Sequence, residues 1–445
     1  MYSKELFVSF LNFFMRKTAI VLRLSVCFSG ILLSTCAGRA QNMSGSDSLS
    51  LTISSADSMF VVKNLSLLAQ KYNIDVQRAQ VLQARLYPNP NLNVSQIAYN
   101  QVSRKVLPFD SSGALGVQLS QLVVLAGKRN KSIKLAQAGV TLSEVQFTDL
   151  LRTLKYSLHS DFYNLYYLQR SARVYGGEIA ALRNVVSAFR TQVDQGNIAQ
   201  KEYVRVKAQL YSLMSEYLGL VNQMNDLQSE MRVLTMDSTR RSLVPVVEES
   251  AVSAYRPDTY PLSTLLDSAF RNRTDLRMAR INTDISRLNL SYQKALAVPD
   301  LTADIAYTQN GNYVPRQFQV GVSMDLPFFS RNQGNIKAAR TSIDIAKVTE
   351  DNTAFTVQEN VYRALQKAYD MDRMYRSVDT SFAGEFQKLQ EQVLSNYKSR
   401  NIGLLDFLDF YDSYKQDVLQ VNQILYGRVQ AFEDINYYTA TNFYK

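Results

Sequence analysis

Apolar positions along the chain follow two periods. From Lys128 to about Val174, Phe147, Leu151, Leu154, Leu158, Phe162 and Leu165 recur at steps of three and four, the stripe of a helix that buries one face. At 1.5 Å per residue, about 47 such residues reach roughly 70 Å. Gly176-Gly177 punctuates this run. The chain then returns through Tyr203, Val206, Leu210, Leu213, Tyr217, Leu220, Met224, Leu227, Met231 and Leu234, alternating steps of three and four without a break. That sustained heptad predicts coiled-coil packing against a neighbour. A second hairpin of the same kind runs from Gln333 to about Tyr375, turns between Ser377 and Gly384, and returns through Phe407, Tyr411, Tyr414, Val418, Val421 and Leu425. The two helical hairpins span about 128–235 and 333–436. Ahead of each hairpin the period shortens to two. Leu92, Val94, Gln96 and Ala98 alternate with Asn91, Asn93 and Ser95, and Leu115, Val117 and Leu119 alternate with Gly116, Gln118 and Ser120. Leu301, Ala303, Ile305 and Tyr307, then Phe318, Val320, Val322 and Met324, repeat the pattern. Alternation over about ten residues predicts strands, here at about 91–101, 113–124, 300–310 and 316–326.

The plan is written twice. Lys63-Asn64-Leu65-Ser66-Leu67 opens a helical stretch that ends at Pro88-Asn89-Pro90-Asn91-Leu92. Asn272-Arg273-Thr274-Asp275-Leu276 opens its counterpart 209 residues later, and that stretch ends at Pro299-Asp300-Leu301. The dipeptides Gly116-Val117 and Gly321-Val322, and the pairs Asn197-Ile198 and Asn401-Ile402, fall at matching places. A repeat of this length is a duplicated half-molecule, since solenoid periods are only about 20–50 residues. The halves are 41–245 and 246–445, joined through Asp237–Tyr260 with Pro245, Pro257 and Pro261 near its end.

Residues 1–40 stand apart. Arg16 and Lys17 precede an apolar run from Ile20 to Leu33, and Gly38-Arg39-Ala40 offers small residues before Gln41. This is the pattern of a secretory signal peptide. Cleavage after Ala40 removes both cysteines, Cys27 and Cys36; acylation at Cys36, in a lipobox-like Leu33-Ser34-Thr35-Cys36, is the competing outcome. The formal net charge is +10, of which the leader carries +4, leaving +6 beyond it. That basic balance reads as lysine and arginine spread over solvated helix faces, and no nucleic-acid partner is expected of an exported chain. With one histidine, no tryptophan and no cysteine after the leader, His-based catalysis, zinc fingers and disulfide scaffolds are excluded. No GxSxG, HExxH, CxxC or P-loop pattern is present. Neither catalytic, cofactor-binding nor metal-ligating residues are assigned. Met224 and Met231 lie on the heptad seam, where core packing accounts for them.

Beyond the leader no stretch of about 18 apolar residues exists, so a membrane span would have to be made of strands. Four strands cannot close a membrane barrel, because bacterial barrels begin at eight. An open sheet in lipid leaves edge groups unsatisfied at several kcal/mol each. Spanning strands therefore require oligomerisation, and three copies give a twelve-stranded barrel continued by long helices. The fold class expected is an α+β membrane protein with two helix–strand–strand–long-helical-hairpin units. Its trimer would form a β-barrel prolonged by an α-helical coiled-coil barrel.

The chain resembles the TolC-type outer-membrane efflux proteins. Leu326-Pro327-Phe328-Phe329-Ser330-Arg331-Asn332-Gln333-Gly334 is similar to that family's second strand-to-helix junction. Leu125-Ala126-Gly127-Lys128-Arg129 is similar to the first junction of the heavy-metal-efflux branch, and Asn401-Ile402-Gly403-Leu404-Leu405-Asp406 also looks familial. The resemblance implies a homotrimeric conduit in the outer membrane of a Gram-negative cell, in contact with its lipid and reaching into the periplasm. It implies as partners a periplasmic adaptor (membrane fusion) protein and an inner-membrane pump, of the RND type. Gly127, Lys128, Pro327, Arg331 and Gly334 would shape the junctions, with proline ending the ladder and glycine easing the turn into the helix. Tyr175, Gly176, Gly177, Ser381 and Gly384 would form the docking tips. Asp379, Glu385 and Glu391 would form an acidic periplasmic gate, a ring of carboxylates under threefold symmetry; ordinary solvated or i,i+4-paired charges are the plainer account of the same residues. Metal ions, drugs or secreted proteins remain open as cargo, and a non-channel periplasmic coiled-coil protein remains the structural alternative.

Overall fold

The computed structural model describes residues 48–444 except 111, 311–313, 379–391, 394, 398 and 400. Helices dominate. α1 (Ile53–Lys63) and α2 (Leu65–Arg85) lead into strand β2 (Asn91–Ser95), and β5 (Gly116–Val123) feeds α3 (Lys128–Asp194) and α4 (Gln200–Thr235). In the second half α5 (Leu262–Asn272) and α6 (Thr274–Leu296) precede β7 (Leu301–Asn310) and β8 (Pro315–Met324), which lead to α7 (Gln333–Ser377) and α8 (Leu404–Thr439). A two-stranded ladder pairs β1 (Ser48–Thr52) with β6 (Ser242–Val246), the latter in the segment joining the halves.

The duplication extends to the caps. Asn64 caps α2: its side chain accepts from the Leu67 N–H at 3.1 Å and donates to the Leu234 carbonyl, at the end of α4, at 2.9 Å. At the matching place before α6, Arg273 donates to the Tyr438 carbonyl near the end of α8, at 3.2 Å. Each short helix is thus tied to the last turn of its own half's returning helix.

α3 is longer than the sequence suggests. It runs unbroken for 67 residues, about 100 Å at 1.5 Å per residue. Gly176 and Gly177 sit inside it on its exposed side, with open space where their Cβ atoms would be. Two glycines cost about 2 kcal/mol of helix propensity, which is small beside the packing of Tyr175, Ile179, Leu182, Val185 and Phe189 on the opposite stripe. The turn comes at 195–199, where Gly196 takes φ +75°.

The sheet has the order β2-β5-β7-β8, antiparallel throughout. β2 stops at Ser95 instead of running to 101. Past it the chain bonds to itself: Gln96 donates to the Pro108 carbonyl, Asn100 to the Ser112 carbonyl at 2.6 Å, and a short ladder pairs β3 (Tyr99–Asn100) with β4 (Lys105–Val106). Among the described residues three apolar clusters fill the helical part. One gathers Phe60, Leu158, Phe162 and Met231, a second Leu265, Val361 and Phe432, and a third Leu182, Val206, Leu210 and Phe407.

Candidate functional site

The register of the sheet sorts most of its side chains by polarity, with Gln121 and Leu122 on the opposite faces to their kind. Leu92 faces Leu119, Leu119 faces Ile305, and Ile305 faces Val320. The next row is Val94, Val117, Tyr307 and Phe318, and a third brings Val123, Leu301 and Met324 together. Cross-strand partners share a face, so these rows make one apolar surface. The rows between them, Asn91-Ser120-Asp304-Gly321 and Asn93-Gln118-Ala306-Gln319, make a polar one. The apolar surface is uncovered: Val320 is 83% exposed, Phe318 75% and Val322 70%. A contiguous apolar face of this size marks contact with lipid or protein. β7 and β8 have ten residues each, the length of a tilted membrane strand. Both outer strands, β2 and β8, have one pairing edge unused among the described residues.

The strand-to-helix junctions are built from backbone geometry and one ion pair. Gly127 caps α3 in the left-handed conformation, φ +66°. Behind it, Lys128 Nζ lies 2.7 Å from Asp300 Oδ1, which also accepts from the Leu125 N–H at 2.8 Å. In the second half the left-handed cap is Asn332, φ +57°, whose amide donates to the Gln293 carbonyl at 2.8 Å. Gly334 is therefore not the turning residue. It lies one step inside α7 with nothing near its Cβ position, and asparagine tolerates the left-handed region well enough to take the role. Pro327 follows the end of the ladder, and its carbonyl accepts from Arg331 Nε at 3.3 Å.

Of the residues assigned to the docking tips, Tyr175, Gly176 and Gly177 are corrected: they lie in the body of α3, and the Tyr175 hydroxyl is bonded to Glu216 at 3.2 Å. Ser381 and Gly384, together with Asp379, Glu385 and Glu391, lie outside the described residues. Asp372, which precedes that segment, is no solvated charge. It is 4% exposed at the side chain and receives Arg428 Nε at 3.0 Å and Arg376 Nε at 2.7 Å. Arg428, 2% exposed, also donates to the carbonyls of Val252 at 2.9 Å and Tyr255 at 2.6 Å. One guanidinium thereby clasps α7, α8 and the inter-half segment.

Two further polar clusters lock the helices. His159 stands between Asp57 Oδ1 at 2.9 Å and Glu433 Oε2 at 3.2 Å. Burial alone would lower its pKa, but the two carboxylates lift it to about 9. The ring is held as an imidazolium between α1, α3 and α8, with Lys155 beside Asp57 at 2.8 Å. Between α8 and α4, Lys415 bridges Glu216 and Asp412 at 2.9 Å each. Glu178 lies nearby, 4% exposed and with no partner for Oε1 among the described residues. Burial pushes its carboxyl up to about 8 against the pull of Lys415. Sequence reading places His159 at a helix surface or interface but passes over Arg428, Lys415 and Glu178, although a signal exists. Arg428 stands between Leu425 and Phe432, Lys415 between Tyr411 and Val418, and Glu178 between Tyr175 and Leu182, each a charge on an otherwise apolar stripe. Among the described residues no helix is long and apolar enough to cross a membrane.

Residues 58–235 match the family model described as outer membrane efflux protein. The chain is 23% identical over 300 residues to the cobalt-zinc-cadmium resistance protein CzcC of Cupriavidus metallidurans, covering 67% of this chain and 68% of that one. It is 23% identical over 216 residues to the outer membrane protein TolC of Salmonella enteritidis, covering 44% of each. In structure it is similar to the CmeC outer membrane channel of Campylobacter jejuni, with a TM-score of 0.72, 14% identity, and 87% and 85% of the two chains covered.

Proposed function

Because residues 58–235 match the outer membrane efflux protein model and the chain is similar to CzcC over two thirds of its length, we propose that three copies of it close a twelve-stranded barrel in the outer membrane and form the exit duct of a tripartite efflux assembly. The observation that carries this reading is the two-faced, open-edged sheet. Its apolar rows suit lipid, its polar rows suit a water-filled lumen, and β8 of one copy can pair with β2 of the next so that no edge is left in hydrocarbon. A second feature supports the trimer. On α7, Ile345, Val348, Phe355 and Tyr362 form an exposed stripe at steps of three and seven, a coiled-coil seam without a partner inside the protomer. The long helices, α3 reaching about 100 Å, continue the duct into the periplasm. The turn at 195–199 is the first-half tip offered to a periplasmic adaptor, and an RND-type pump in the inner membrane supplies the cargo. Divalent metal cations are the cargo favoured by the likeness to a cobalt-zinc-cadmium resistance protein.

Deletion of the gene tests the reading. Cells lacking the protein would accumulate cobalt, zinc or cadmium and stop growing at lower metal concentrations, and plasmid-borne protein would restore both. Unchanged metal tolerance together with lost secretion of a protein would instead make the chain a type I secretion outlet.

A further inference from the structure

Among the paired residues of the four-stranded sheet, Asp304 is the one charged side chain. Asp304 stands on the polar side, between Ser120 on β5 and Gly321 on β8. Its carboxylate fills the space that Gly321 leaves: both oxygens lie 2.8 Å from where a Cβ on that glycine would be. The first half repeats this geometry without the charge. Ser95, 209 positions earlier, lies over Gly116, its hydroxyl 2.7 Å from the corresponding Cβ position. Among the described residues no cation pairs with Asp304. The contrast with Asp300, four residues before it, is direct, since that carboxylate is neutralised by Lys128 at 2.7 Å.

We propose that Asp304 is the charge-selecting residue of the barrel, three copies forming a carboxylate ring that admits cations ahead of anions. This rests on the trimeric duct proposed above. Twelve strands about 4.8 Å apart and tilted by about 40° give a wall radius of about 12 Å. Side chains reaching inward bring the carboxylates to about 8 Å from the axis, close to the Debye length of about 8–10 Å at 0.1–0.15 M salt. The ring therefore biases permeation at physiological ionic strength, more strongly in dilute salt. At 1 M, where the Debye length is about 3 Å, it has almost no effect. Attraction scales with ion charge, so divalent cations feel it twice as strongly as monovalent ones.

Reversal potentials of the purified full-length protein in neutral planar bilayers, under KCl gradients, test this. The wild type should prefer potassium over chloride about fivefold near 0.1 M, falling toward parity at 1 M. Asp304→Asn should cut the preference at least about threefold at low salt, and Asp304→Lys should invert it. Asp304→Ser provides a second neutral variant that the fold already accommodates over Gly116 in the first half. If conducting Asp304→Asn and Asp304→Ser channels keep the wild-type reversal potential, the inference is overturned while the duct stands. If the wild type does not conduct at all, the duct reading falls and the inference with it.

Discussion

The Asp300 carboxylate holds the Lys128 ammonium at 2.7 Å and the Leu125 N–H at 2.8 Å, so the residue just ahead of β7 fixes the start of the first half's longest helix. The bond joins residues 172 positions apart in the sequence, at the level where the sheet gives way to helices. Replacing Asp300 with alanine leaves a buried ammonium and an orphaned amide. The cost expected is about 1–3 kcal/mol, read as a lower temperature for heat dissociation of the assembled protein.

Arg428 and Asp372 make a sharper case. Removing one partner of a buried pair costs about 3–5 kcal/mol, while replacing both with apolar residues can be nearly neutral. Arg428→Met should lower the midpoint of helix melting markedly, and Arg428→Met combined with Asp372→Leu should recover much of the loss. Recovery would be incomplete, because the carbonyls of Val252 and Tyr255 would still lack their donor.

Two buried groups with raised pKa values both make stability fall as pH rises, over different ranges. His159 has a folded pKa of about 9, above its ordinary 6.5, so its contribution is full below about pH 6.5 and is lost as pH rises through 9. The stability gap between wild type and His159→Gln should therefore be widest near pH 6 and shrink by pH 9.5. Glu178, raised from 4.5 to about 8, binds a proton in the folded state that the unfolded chain has released. Its presence costs stability as pH climbs from 4.5 to 8, so Glu178→Gln should raise the melting temperature at pH 8 and bring no such gain at pH 4.5. Thermal melts across pH in one detergent check both.

The two faces of the sheet should respond differently to the same charge. Arginine at Val320 on the apolar face would cost about 2–4 kcal/mol at mid-membrane depth. At Gln319, next to it on the polar face, the cost should be small. The yield of heat-resistant protein in outer-membrane fractions would fall for the first substitution and hold for the second.

How far the sequence carries can be seen at particular residues. The strand alternation that separates Val320 from Gln319 is legible because a period of two leaves no freedom about which face a residue takes. The two long hairpins are legible in their heptads. Gly176-Gly177 misleads, because a glycine pair breaks an isolated helix but not one whose opposite stripe is buried against two neighbours; the turn falls at Gly196, where a positive φ is needed. Gly334 misleads for a related reason, since the left-handed cap had already been supplied by Asn332. The clasp of Arg428 on Asp372 and the tie from Lys128 to Asp300 join residues 56 and 172 positions apart. Periodicity carries no information on such pairings; only the folded arrangement brings them together.

The mass of the mature protein extracted from outer membranes in mild detergent tests the central claim most directly. Three open-edged sheets that complete one barrel give a trimer. A folded monomer that remains soluble and intact in detergent would mean that β2 and β8 do not pair between copies, and it would contradict the duct.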